Sequence, residues 1–133
     1  MENKEPRWKQ RFENFEKAFL FLQTIVKQDA LTPIEIAGLV QAFEFTFELG
    51  WKTIKDYLYE QGIETQYPRQ TIKEAFKTNI ITDGHEWMDM LEKRNELSHT
   101  YNQEVAQRAV EKIVHHYYPA IQKVYDYFKK QEE

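Results

Sequence analysis

The stretch from Pro33 to Gln61 limits the folds open to this chain more than any other. Read as a helix, it spreads Ile36, Leu39, Val40, Phe43, Phe45, Phe47, Leu49, Trp51, Ile54 and Leu58 over almost every side, so they cannot share one face. What remains is a narrow polar stripe of Gln41, Glu44, Glu48, Lys52 and Lys55 at steps of three and four. Thr32 is placed to cap this helix, Pro33 suits its first turn because the missing N–H costs nothing there, and Gly62 suits its end. A helix so enclosed either lies at the centre of its bundle or is buried a second time by another subunit. The second is expected here, because a small bundle has few faces to offer and a two-fold homodimer is the commonest cover for a leftover apolar strip.

The flanking segments supply the rest of a bundle. From Arg7 to Gln28 the residues Trp8, Phe12, Phe15, Phe19, Leu22 and Val26 alternate steps of four and three, the seam of a helix packed lengthwise on others. After the turn Tyr67-Pro68-Arg69-Gln70 a short helix to about Thr78 is predicted to bury Ile72, Ala75 and Phe76. A break at Thr82-Asp83-Gly84, with Asp83 as candidate N-cap, opens a helix from Gly84 to Ser98 that buries Trp87, Met88, Leu91 and Leu97. The last helix runs from Gln103 to Lys129 on a seam of Ala106, Val110, Ile113, Tyr117, Ala120, Val124 and Tyr127, with a bend expected at Pro119. His115 and His116 diverge by about 100° on that helix and read as surface and flank residues. The expected fold is all-α: an antiparallel four-helix up-and-down bundle with one additional short helix, in a single domain over 1–133 with 1–6 and 130–133 frayed.

Composition narrows the chemistry. The absence of cysteine removes disulfides, thiolate metal sites and thiol nucleophiles together. No apolar run approaches a membrane span and Met1-Glu2-Asn3-Lys4-Glu5 lacks the parts of a signal peptide, so a cytoplasmic protein with no membrane association is expected. The net charge of -4 disfavours a whole-surface nucleic-acid binder. A local cationic pocket gathering Arg94, Lys93 and Arg69 stays open, with weak unassisted RNA affinity and strong salt dependence as its signature. No cofactor is expected, and no metal, since Glu44 and Glu48 without ligating His or Asp make a poor site.

The chemistry concentrates in Arg94-Asn95-Glu96-Leu97-Ser98-His99-Thr100-Tyr101, between the last two helices. On an unbroken helix Arg94 and His99 would stand roughly 140° apart, so they converge only if the helix ends between them. Thr100 with Gln103 has capping-box spacing, and Asn102 is a second candidate cap, which puts Arg94 in a last turn and His99 in the connection. An arginine and a histidine there can simply complement the helix dipole and bond its last carbonyls. They are also the groups that suffice for metal-independent RNA cleavage through a 2′,3′-cyclic phosphate: an imidazole that takes or returns a proton and a planar fork that holds phosphate. One histidine per chain is short of a separate acid and base, and a two-fold mate would complete the set. Glu44, Glu48 and Lys52 at four-residue spacing are ordinarily solvated pairs. The alternative is that Glu48 faces a cleft shared with Arg94 and holds it in place.

Arg94, four residues, His99, one residue and Tyr101 match the R-x4-H-x-Y motif of the HEPN superfamily. Together with Gln41-Ala42-Phe43-Glu44-Phe45-Thr46-Phe47-Glu48-Leu49-Gly50-Trp51-Lys52, the chain resembles over nearly its whole length the branch labelled nucleotidyltransferase substrate-binding proteins, relatives of the HepT toxins. The resemblance implies an HEPN-like bundle and a ribonuclease toxin of a two-gene toxin-antitoxin module. Its implied partner is a minimal nucleotidyltransferase encoded nearby, which attaches AMP to the motif tyrosine. Carried over by position, Arg94 and His99 are the catalytic pair, Asn95 orients the arginine and Tyr101 is the modification site. The other expectation the family label supports is a non-catalytic subunit that binds the nucleotidyltransferase and presents a substrate to it.

Overall fold

A computed structural model describes residues 5–99 and 102–133, with His99 described by its backbone alone. Among these run α1 (Arg7–Val26), α2 (Pro33–Glu60), α3 (Pro68–Lys77), α4 (Gly84–His99), α5 (Gln103–Lys112), a single π-helical turn (Ile113–Tyr117) and α6 (Tyr118–Glu132). No strand occurs among the described residues, and none of the helices described is long and apolar enough to cross a membrane.

Local signals start and stop these helices. The Thr32 side chain accepts from the Glu35 N–H at 3.2 Å while the Glu35 carboxylate accepts from the Thr32 N–H at 2.9 Å, a capping box with Pro33 in the first turn. At the other end Gly62 takes φ +88° and the Ile63 N–H reaches back to the Leu58 carbonyl at 2.8 Å, closing the helix in a Schellman turn. Asn79 does the same after α3, with φ +66° and the Ile80 N–H on the Ala75 carbonyl.

Aromatic contacts fix the directions. Trp8 stands edge-on to Tyr57, 5.3 Å between centroids, so α2 runs antiparallel to α1. Phe128 lies 5.6 Å from Trp8 and Tyr118 stacks on Phe19 at 5.5 Å, which brings α6 back along α1. Across the bundle Asp83 meets Lys123 and Asp89 meets Tyr117, so α4 is antiparallel to the last rod. The result is an antiparallel up-and-down bundle of α1, α2, α4 and α5–π–α6, with α3 packed on α2 and α4. One contiguous apolar cluster joins all of them.

Several expectations shift. α2 packs on every rod of its own chain, so most of its apolar perimeter is covered from within, leaving Phe45 at 55% and Ile34 at 84% exposure. In α4 it is Met90, not Met88, that is fully buried beside Trp87, because both fit the periodicity and packing selects one. Phe76, expected inside, is 54% exposed, because the ring rests on Gly84 at the surface instead of entering the core. α1 stops at Val26, two residues early. α4 continues through His99, so the interruption expected between Arg94 and His99 is absent. Asn102 caps α5, its side chain accepting from the Glu104 N–H at 2.7 Å and the Val105 N–H at 3.3 Å. The bend expected at Pro119 is a π-turn: the Tyr118 N–H bonds five residues back to the Ile113 carbonyl, a widened turn just before the residue that has no donor. α6 runs on to Glu132 through the stretch expected to fray, its end tied to α1 by Lys129 on Glu16 at 3.0 Å.

Two carboxylates link this packing to pH. Tyr125 donates to Glu16 at 2.6 Å, and this bond, with Lys129 behind it, holds the Glu16 carboxyl below its usual 4.5. Tyr117 likewise donates to Asp89 at 2.6 Å and, with help from Lys112, lowers it from 3.8, while burial and that bond raise both phenols, Tyr125 to about 12. Depressed carboxyl values mean that the unfolded chain binds protons first as pH falls, so this stabilisation is whole above about pH 5 and is lost as pH drops through the folded values. The denaturation midpoint is therefore expected to hold between pH 7 and 5 and fall below pH 4. Tyr125→Phe is expected to lower it at pH 7 and flatten the acid decline; a decline as steep as wild type would contradict the coupling.

Candidate functional site

Two helices place the central side chain. Leu97, 3% exposed, and Leu91 anchor α4 in the core, which sets Arg94 against α2. The pairing is antiparallel and matched in spacing. Glu44 and Glu48 lie four apart on α2, Arg94 and Ser98 four apart on α4, and Glu48 meets Arg94 while Glu44 meets Ser98. Arg94 Nη1 lies 3.5 Å from Glu48 Oε2, an ion pair longer than a fork-on-fork hydrogen bond. Glu48 is shared, since its Oε1 accepts from Trp51 Nε1 at 3.2 Å and lies 3.7 Å from Lys52 Nζ. Beneath the guanidinium lies Phe47, its ring centroid 5.5 Å from Arg94 Cζ. Ser98 Oγ sits 3.0 Å from Glu44 Oε2 and 2.7 Å from the Arg94 carbonyl, so its one proton serves one or the other. Arg94 Nε is buried and has no acceptor among the described residues.

Of the residues singled out by sequence, the structure brings together Arg94 and Glu48; Asn95, next on the helix, is exposed. His99 belongs to α4 by its backbone, and Tyr101 lies outside the described residues. The cationic cluster does not gather. Lys93 pairs with Glu96 at 3.1 Å and Arg69 lies 3.9 Å from Met88 Sδ, contacts that neither shares with Arg94. Sequence reasoning missed Phe47, Trp51 and Ser98 as parts of this environment. The signal that would have found Ser98 is the equal four-residue spacing of Glu44/Glu48 and Arg94/Ser98 on neighbouring antiparallel helices. Among the described residues no three His, Asp or Glu side chains gather as a metal site.

What this arrangement offers chemically is a permanent cation with a planar fork, three quarters withdrawn from solvent, fixed by a carboxylate on one side and an aromatic face on the other. The architecture around it is an HEPN-like antiparallel helical bundle. The chain belongs to the family described as nucleotidyltransferase substrate binding protein like, whose model matches residues 10–130. Over 90 residues it is 37% identical to a Haemophilus influenzae protein named Probable ribonuclease HepT; the match covers 64% of this chain and 59% of that relative. Two solved structures share the fold. A Thermus thermophilus protein superposes with a TM-score of 0.76 at 28% identity, covering 83% of this chain and 94% of its own. A Haemophilus influenzae protein, described as revealing the fold of a substrate binding domain of a nucleotidyltransferase, gives 0.74 at 26% identity over 89% and 98%.

Proposed function

We propose that this chain is a HepT-like toxin of a two-gene toxin-antitoxin module: a metal-independent endoribonuclease, active as a homodimer, silenced when a partner nucleotidyltransferase transfers AMP to Tyr101. The observation that carries the reading is Arg94 clamped between Glu48 and Phe47, on the same helix as His99, in a family with a relative named as a ribonuclease. A neutral His99 takes the proton of a ribose 2′-hydroxyl, whose oxygen attacks the adjacent phosphorus; Arg94 stabilises the added negative charge; and a protonated His99 returns a proton to the departing 5′-oxygen. Positions 94 and 99 stand about 140° apart around the axis of α4, which supports a site shared between two copies. Exposed Phe45 on α2, and Leu20 and Phe21 on α1, are the apolar surface such a dimer would cover. In the silencing step the Tyr101 phenol loses its proton to solvent, its oxygen attacks the α-phosphorus of ATP and pyrophosphate leaves, so the motif gains a negative charge that opposes RNA phosphate.

The family description and the net charge of -4 favour a second reading, a non-catalytic subunit that binds the nucleotidyltransferase. Expression of the chain alone separates them. The ribonuclease arrests growth, and the purified protein leaves 2′,3′-cyclic phosphate ends in the presence of a chelator; the binding subunit does neither. Co-expression with the nucleotidyltransferase should add adenylate mass to the peptide containing Tyr101 and none in Tyr101→Phe. Phe45→Glu should halve the mass in solution with little change in melting temperature, and an unchanged mass would remove α2 from the interface.

A further inference from the structure

α3 and the first half of α4 flank an open groove of about 420 Å³ on a different side of α4 from the Arg94 cluster. Its walls are Ile72, Met88 and the ring of Phe76, which lies so close to Gly84 that a β-carbon there would come within 2.9 Å of Phe76 Cδ1. Gly84 thus lets an aromatic ring stand at the rim with its outer face open to solvent. The ionisable side chains lining the groove are Lys73 and Lys77 on one lip and His85 on the other, with no carboxylate among them. Arg69 continues the row, so α3 presents cations at 69, 73 and 77, one per turn and about 6 Å apart along the axis. Glu74 is the counter-charge on this helix, 3.3 Å from Lys77 in an exposed pair of the kind that holds a lysine weakly. In a chain of net charge -4 this concentration is local.

We infer that this surface is an accessory docking site for single-stranded RNA, in which Arg69, Lys73 and Lys77 follow successive phosphates and one unstacked base enters the groove against Phe76. The inference rests on the ribonuclease reading and extends it from the cleavage point to how the strand is held. A row of cations beside an open aromatic face is how single strands are bound without sequence preference. The apolar walls offer a base little to bond with, so the site tolerates any base. A duplex, whose bases are stacked inside, has none to give. α4 links the two places, since Arg94 follows Met88 by about 9 Å along the helix axis.

The probe is a fluorescein-labelled 2′-O-methyl oligouridylate, which lacks the nucleophilic hydroxyl and so stays intact on wild-type protein. Fluorescence anisotropy is read at several salt concentrations. Lys73→Gln/Lys77→Gln should weaken binding about tenfold or more and reduce the log–log salt slope by about 1.4, two phosphates' worth for a single strand. Phe76→Ala should weaken it about tenfold with the slope unchanged, as for loss of one stacked base. Gly84→Ala should act in the same direction by displacing the ring, and Phe76→Ala, at an exposed position, carries the test if that variant does not fold. Wild-type affinity in the α3 variants, with RNA cleavage intact, overturns the docking site and leaves the ribonuclease standing. No binding and no cleavage by wild type removes both. Normal RNA binding with lost association to the nucleotidyltransferase makes the surface a protein contact and overturns the inference equally.

Discussion

Arg94→Ala is expected to slow RNA cleavage by about 10²–10³, the usual effect of removing one preorganised group facing charge that builds up in a transition state. The fold should survive. The Arg94–Glu48 pair is long and partly solvated, and Glu48 keeps Trp51 Nε1 and Lys52, so the change costs about 1 kcal/mol. Arg94→Lys keeps the charge and loses the fork, and should recover only part of the rate. His99→Ala is expected to lose about 10²–10⁴. Glu48→Gln should cost about tenfold, and added to Arg94→Ala it should cost nothing further, because a residue that acts by positioning has no effect once its client is gone. Mixing the two inactive proteins tests the composite site directly. If Arg94 of one copy works with His99 of the other, each heterodimer keeps one such pair, and part of the activity returns with its single His99 serving in turn as base and acid. If both residues of a pair come from one chain, the mixture stays inactive.

Much of this scaffold could be read directly from residues. Thr32, Pro33 and Gly62 announced the bounds of α2 because capping is local chemistry, settled within one turn; Glu35, which completes the capping box, was not read from the sequence. Met90 was not legible in place of Met88, since 87 and 91 share a helical stripe with either one and only the neighbouring rods decide which side turns inward. The π-turn left a single trace, Pro119, and a proline can also be met by a kink. The end of α4 was misplaced because Thr100 and Asn102 both offer caps, and the later one took the role. Glu48 could be read as an alternative, a carboxylate on a mostly buried helix, but its meeting with Arg94 joins residues far apart in sequence and depends on how α2 and α4 are set side by side.

Phe47→Ala is the substitution expected to cost the most stability. Phe47 is fully buried, 5.7 Å from Trp87 and 6.3 Å from Phe43, and deleting a ring from such a place typically costs about 3–5 kcal/mol. Against a net stability of about 5–15 kcal/mol this should lower the melting temperature by about 10–20 °C. Tyr59→Ala, on the same helix but 68% exposed and outside the proposed dimer surface, should move the chemical-denaturation free energy by less than about 0.5 kcal/mol. The contrast isolates burial from aromatic character. Because Phe47 also floors the Arg94 guanidinium, Phe47→Leu separates two roles: it fills most of the volume, so stability falls by only about 1–1.5 kcal/mol, but it offers no π face. Cleavage should then drop severalfold in a protein that melts nearly as wild type. If Phe47→Leu cleaves RNA at the wild-type rate, the aromatic face contributes nothing to holding the arginine, and Glu48 alone sets its position.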